Sequence, residues 1–179
     1  MRTGLAALIL TSALAGLAAS ASSQTVRTPA EQAPATVHRA TATYEDYLTG
    51  NAADITTPTR GGLQLEGGGT DIDAAFRWLI AHADGRDIVV IRASGADGYN
   101  SYIMKLGRVD SVESIVFKSR EASFDKDVLR AIEHADGVFI AGGDQSNYVK
   151  YWKGTPVEDL LNGLAKRGVP IGGTSAGLA

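Results

Sequence analysis

The residues with the clearest chemical potential are Gly173-Thr174-Ser175-Ala176-Gly177, which fit G-x-S-x-G directly after a strand-like run. That pattern makes a nucleophile elbow, a turn so tight that the serine backbone is strained and its Oγ is pushed into a cleft. Residues two before and two after the serine must be tiny, and Gly173 and Gly177 satisfy that demand. The N–H of Ala176 then points at a developing oxyanion. The bland alternative is a glycine-rich turn with an incidental serine, and the preceding strand favours the elbow.

A second glycine-rich segment, Gly142-Gly143-Asp144-Gln145, follows another strand-like run. Adjacent glycines let backbone N–H groups approach a substrate closely. A second oxyanion donor is expected from Gly143 or Asp144. Asp144 is equally a helix N-cap and a substrate-binding candidate. Gln145 is a candidate for substrate contact, because a cap does not need it. Asp97, Tyr99 and Asn100 form a polar loop that is a further place for substrate contact. Asp71 and Asp73 more commonly act as helix caps, and Tyr148 and Trp152, at i, i+4 spacing, read as packing residues. Gly67-Gly68-Gly69-Thr70-Asp71-Ile72 lacks the third glycine of a dinucleotide fingerprint, and no G-K-[ST] follows.

Several classes of function drop out on composition. The chain has 179 residues, 17 Lys+Arg and 20 Asp+Glu, so a formal charge of -3 offers no electrostatic reason to expect nucleic acid. It has no Cys, which removes disulfides, thiolate zinc sites and a Cys nucleophile together. The three His (His38, His82 and His134) show no metal-ligand spacing.

The elements that must position these loops follow from patterning. Strands are expected at 62–66, 87–93, 112–117, 137–141 and 169–171, with helices over 74–80, 102–106, 124–134, 147–152 and 155–167. Strands alternating with helices imply an α/β fold, a mostly parallel sheet with helices on both faces. Ligands in such sheets bind outside the carboxyl ends of the strands, so the segments 67–73, 94–100, 142–147 and 173–177 should open on one edge. Met1-Arg2, an uncharged run over residues 4–19 and Ala19-Ser20-Ala21 have the layout of a signal peptide, residues 1–21, cleaved after Ala21. The run falls short of the roughly 20 residues of a bilayer span. Residues 22–43 read as a linker rich in Ala, Thr and Pro, and 44–179 as the folded domain. Export makes the expected location secreted or periplasmic, with no membrane contact after cleavage.

Four ordered motifs then carry a resemblance. They are Gly67-Gly68-Gly69-Thr70-Asp71, Arg92-Ala93-Ser94-Gly95 with Asp97-Gly98-Tyr99-Asn100, Gly142-Gly143-Asp144-Gln145-Ser146, and Gly172-Gly173-Thr174-Ser175-Ala176-Gly177. Over about residues 44–179 the chain resembles cyanophycinase and cyanophycinase-like serine peptidases, which have the class I glutamine-amidotransferase-like fold also seen in aspartyl dipeptidases. That family hydrolyses cyanophycin, a poly-aspartate with Arg on its side-chain carboxylates, to β-aspartyl-arginine dipeptides. The resemblance implies Ser175 as nucleophile, Gly143 and Ala176 near the oxyanion hole, Gln145 in the substrate cleft, no metal or organic cofactor, and a homodimer. It also implies a triad His and acidic partner after the nucleophile, whereas Ala179 is four residues past Ser175. The expectation is therefore an N-terminal portion of a peptidase that is inactive alone. Other readings are an aspartyl or isoaspartyl dipeptidase of the same fold and a non-catalytic binding protein.

Overall fold

The computed structural model describes residues 34–54 and 57–179. The expected signal peptide and the first part of the linker lie outside the described residues.

Seven strands form a single mixed sheet, in the order β1-β2-β5-β4-β6-β7-β3. They are β1 (Thr36–Ala40), β2 (Tyr44–Gly50), β3 (Leu63–Glu66), β4 (Asp87–Arg92), β5 (Ser111–Phe117), β6 (Gly137–Ile140) and β7 (Ile171–Thr174). The pairs β5–β4, β4–β6, β6–β7 and β7–β3 are parallel, while β1 and β2 join antiparallel at one side. The helices are α1 (Asp73–His82), α2 (Gly98–Leu106), α3 (Lys126–Glu133), α4 (Gln145–Trp152) and α5 (Pro156–Arg167). This is the α/β architecture that the alternating pattern predicts. No described helix is long and apolar enough to cross a membrane.

The continuous apolar run in β4 follows from its two covered faces. Ile88 and Val90 pack with Phe76, Leu79, Ile103 and Phe139, the layer of α1 and α2. Val89 and Ile91 alternate to the other side, with Ile132, Trp152 and Leu164 of α3, α4 and α5. A strand buried on both faces has no polar face to reveal its period. Phe76 is fully buried, so Phe76→Ala would cost about 3–5 kcal/mol.

Two regions depart from expectation. Residues 36–40, read as part of the linker, form β1, which pairs with β2 from Thr36↔Thr49 to Ala40↔Glu45. The folded body thus begins before residue 44. β1 is exposed along its whole length, so no burial alternation exists to read. β2 hides its period because buried Asp46 sits where an apolar residue would be expected. The turn is held by Thr41, whose Oγ1 accepts from the backbone N–H of Thr43 at 3.2 Å and of Tyr44 at 3.0 Å. The second region is β3, whose pattern is inverted. Leu63 and Leu65 are each 65% exposed, whereas Gln64 and Glu66 are buried. Gln64 donates to Glu66, and Glu66 Oε2 accepts from Ile72 N–H at 3.0 Å, tying the start of α1 to the strand.

β7 also begins two residues later than expected and runs through Gly172 and Gly173 to Thr174. Two glycines are poor strand formers, but ladders from both β3 and β6 hold them.

Candidate active site

The loops after β3, β4, β6 and β7 meet at the carboxyl ends of the parallel strands. β7 passes directly into a 3-10 turn, Ser175–Gly177. Ser175 takes φ of +52°, the left-handed region, and is exposed. For a residue with a Cβ that conformation costs roughly 1–2 kcal/mol. The neighbours show why glycine stands two residues to either side of the serine. A Cβ on Gly173 would lie 2.5 Å from the carbonyl oxygen of Gly177, and one on Gly177 would overlap the carbonyl oxygen of Ile140. The small-residue demand of the elbow is thus a demand of backbone against backbone.

Two further segments wall the serine. A Cβ built on Gly68 would stand 3.4 Å from Ser175 Oγ, and one on Gly142 would stand 3.3 Å from Ser175 Cβ. Thr174 Oγ1 donates to Gly67 O at 3.1 Å, which stitches the 67–69 loop to the elbow. Gly143 is exposed beside Tyr148, whose hydroxyl donates to Ala141 O at 2.7 Å and locks the turn. A Cβ on Gly143 would come 2.6 Å from that hydroxyl oxygen, so the turn packs this way only with glycine. Gly143 N–H has no acceptor among the described residues. Ala176, which follows the serine, is buried.

Asp144 takes the capping role. Its Oδ1 accepts from Ser146 N–H at 2.8 Å at the start of α4. The hydrogen bond to Ser146 holds its carboxyl below the usual range. Gln145 is the exposed first residue of α4, on the rim of the cleft. Tyr148 and Trp152 stack at 4.4 Å within the core, as packing residues. Asn100 belongs to the scaffold. It is buried, its Nδ2 donates to Tyr47 O, Thr49 Oγ1 and Val112 O, and its Oδ1 accepts from Ser114. Its sequence neighbour Tyr99 does face a pocket, of about 390 Å³, with Thr70, Asp71, Asp73, Arg92, Gly98 and Tyr102. Arg92 and Tyr102 went unassigned on sequence. The available signal was a charged residue closing a strand that is apolar from Ile88 to Ile91.

None of the three histidines touches Ser175. His38 stacks on Tyr47 in the β1–β2 hairpin at 4.2 Å. His82, at the end of α1, stacks on Trp78 and hydrogen-bonds Trp78 O at 2.8 Å. His134, after α3, pairs with Asp54 at 2.6 Å. No group of His, Cys, Asp or Glu among the described residues has the arrangement to hold a metal ion.

The model of peptidase family S51 matches residues 65–179, from within β3 through the elbow and all four cleft loops. The chain belongs to peptidase family S51. Among solved structures, the S51 chain is similar to a peptidase from an acI-B1 actinobacterium, with a TM-score of 0.50 and 19% identity. The match covers 66% of this chain and 55% of that one, so the S51 chain spans about half the length of that peptidase. At this identity the likeness concerns the fold. No curated protein sequence matches the chain.

Proposed function

We propose that this S51 chain belongs to an exported serine-type peptidase that hydrolyses cyanophycin to β-aspartyl-arginine dipeptides, with Ser175 as nucleophile. The observation that carries the reading is the left-handed backbone of Ser175 at the end of β7, exposed between two glycine loops. Strain held in a non-glycine residue at a strand end is characteristic of a functional position.

The chemistry runs through an acyl-enzyme. Ser175 Oγ attacks the scissile carbonyl carbon as its proton passes to a general base. The oxyanion takes hydrogen bonds from the N–H groups of Ala176 and Gly143. The carbon–nitrogen bond then breaks, and the base returns its proton to the leaving amine. Water, deprotonated by the same base, hydrolyses the ester and restores the serine. Gln145 contacts substrate from the rim. The base comes from outside the described residues, since each histidine among them is engaged elsewhere. Residues 1–179 alone are therefore inactive in this reading, and residues 1–21 direct export.

Intact cyanophycin, Asp-X peptides and β-Asp-X peptides offered to the full-length protein test the proposal. Release of β-Asp-Arg from the polymer is expected. Cleavage of the short peptides alone would replace the polymer with a dipeptide substrate. Hydrolysis that survives Ser175→Ala would remove the nucleophile assignment.

A further inference from the structure

The turn between β6 and α4 is fastened at both ends and bare in the middle. At one end Ala141 is fully buried, donates its N–H to Ile91 O at 3.1 Å and accepts the Tyr148 hydroxyl at 2.7 Å. At the other end Asp144 caps α4 through Ser146 N–H. Between them lie Gly142, packed on Ser175, and Gly143, whose N–H has no acceptor among the described residues. Consecutive glycines carry little conformational preference of their own.

Tyr148 lies in the first turn of α4, buried, with its ring stacked on Trp152 at 4.4 Å. Phenylalanine would serve that stacking equally well. The hydroxyl does what the ring does not. It reaches back seven residues to Ala141 O, and it fills the space beside Gly143, where a Cβ would come 2.6 Å from its oxygen and 3.4 Å from Cζ. A single oxygen atom thus braces the segment on both sides of Gly142. Burial raises the Tyr148 hydroxyl above the ordinary tyrosine range, so it remains a donor to Ala141 O.

We propose that the Tyr148 hydroxyl is the positioning group for Gly143, holding its N–H in the orientation that meets the oxyanion. Tyr148 touches no substrate and acts through Ala141 and Gly143. An oxyanion donor is effective only when it is oriented before the charge develops, and two unbraced glycines would leave that orientation open. The proposal rests on the peptidase reading for the oxyanion that Gly143 meets. The competing role is ring packing alone, with a hydroxyl that only satisfies Ala141 O.

Tyr148→Phe in the full-length protein keeps the ring and removes the brace. On cyanophycin, or on the β-Asp-X peptide if that alone is cleaved, kcat and kcat/KM should fall together by about 10-fold with KM unchanged. Outright loss of an oxyanion donor costs about 10²–10³-fold, and misorientation costs less. Thr155→Val is the stability control. It deletes another buried bond, from Thr155 Oγ1 to Trp152 O at the far end of α4, and should lower Tm without lowering kcat. The clash supplies a second measurement. Gly143→Ala drives a methyl group onto the Tyr148 oxygen and should lower both Tm and kcat, whereas in the Tyr148→Phe background it should cost much less Tm. An unchanged kcat in Tyr148→Phe, a change confined to KM, or an equal kcat loss in Thr155→Val overturns the proposal. Tm losses that simply add in the double variant overturn it too. If Tyr148→Phe does not fold, a kcat untouched by Gly143→Ala is the overturning result. The peptidase reading fails differently, by hydrolysis that survives Ser175→Ala, whereas this inference fails by hydrolysis that needs Ser175 and ignores Tyr148.

Discussion

Each end of the parallel strands carries a hollow, and the two are built from opposite materials. At the carboxyl ends, glycine loops surround one strained serine, and Arg92 lies over Tyr99 in the adjoining pocket. At the amino ends, a larger hollow of about 560 Å³ lies between the hairpin and α3, lined by Arg39, Asp46, Asp87, Glu113, Asp127 and His134 among others. Its charges answer one another. Arg39 reaches Asp46 at 2.9 Å and Asp127 at 2.6 Å, Arg130 reaches Asp127 at 3.0 Å, and His134 reaches Asp54. Burial and the neighbouring Asp46 push Glu113 up to about 8, and burial pushes Asp136 up to about 6. An abundance of titratable groups is therefore a poor guide to the reacting centre in this fold. Backbone strain at a strand end walled by glycine loops is the better marker, because it persists only where the surrounding structure enforces it.

The sharpest break in that contrast is Ser175→Ala. In the full-length protein it should lower kcat/KM by at least about 10⁴-fold with little change in Tm, as loss of an acyl-transfer nucleophile does. Next in size is Gly177→Ala, which drives a methyl group into Ile140 O. A stability loss of about 1–3 kcal/mol is expected in urea unfolding, with activity lost alongside.

The opposite hollow should answer to pH instead. Between the ordinary carboxylate range and about 8, folded Glu113 keeps a proton that the unfolded chain has released. Stability therefore falls as pH rises through that window and levels off above it. Glu113→Gln should flatten the dependence, raising Tm relative to the parent at pH 8 and converging with it near pH 5. Thermal melts at those two values check the sign.

A smaller effect tests the strain itself. Ser175→Gly removes the Cβ from a left-handed position and should stabilise the fold by roughly 1 kcal/mol, measured by denaturant unfolding, while abolishing hydrolysis. The smallest effect belongs to His134→Asn. Its pair with Asp54 is half-exposed, so less than about 1 kcal/mol should be lost, and hydrolysis by the full-length protein should change less than twofold.

Much of the fold was legible in the chain because the local signals agree. Runs such as 87–92 and 111–117 are β-branched and bounded by polar or glycine segments, and their strands appear within a residue of expectation. The hairpin of β1 and β2 was illegible because β1 buries nothing and β2 buries Asp46. A period-two reading depends on an apolar face, and neither strand has one. Asn100 misled in the opposite sense. Its polar neighbours advertise a surface loop, whereas its amide satisfies buried groups of β2 and β5 that are distant in sequence.

The sequence alone pointed to residue 175 as the strained serine, because G-x-S-x-G after a strand is the pattern of a very tight turn; Gly173 answers to Gly177 O within that turn, whereas Gly177 answers to Ile140 O of β6. It also determined that four glycine loops would share one edge, since strand–helix alternation leaves a parallel sheet no other arrangement. Tertiary structure decided which charged groups matter. Asp144 becomes a cap, Asn100 a core strut, the amino-end Asp46 and Asp127 partners of Arg39, and Arg92 a staple of the 94–96 loop lying over Tyr99. Charge pairing acts through space between residues far apart in the chain, so no pattern of neighbours in the sequence could have settled it.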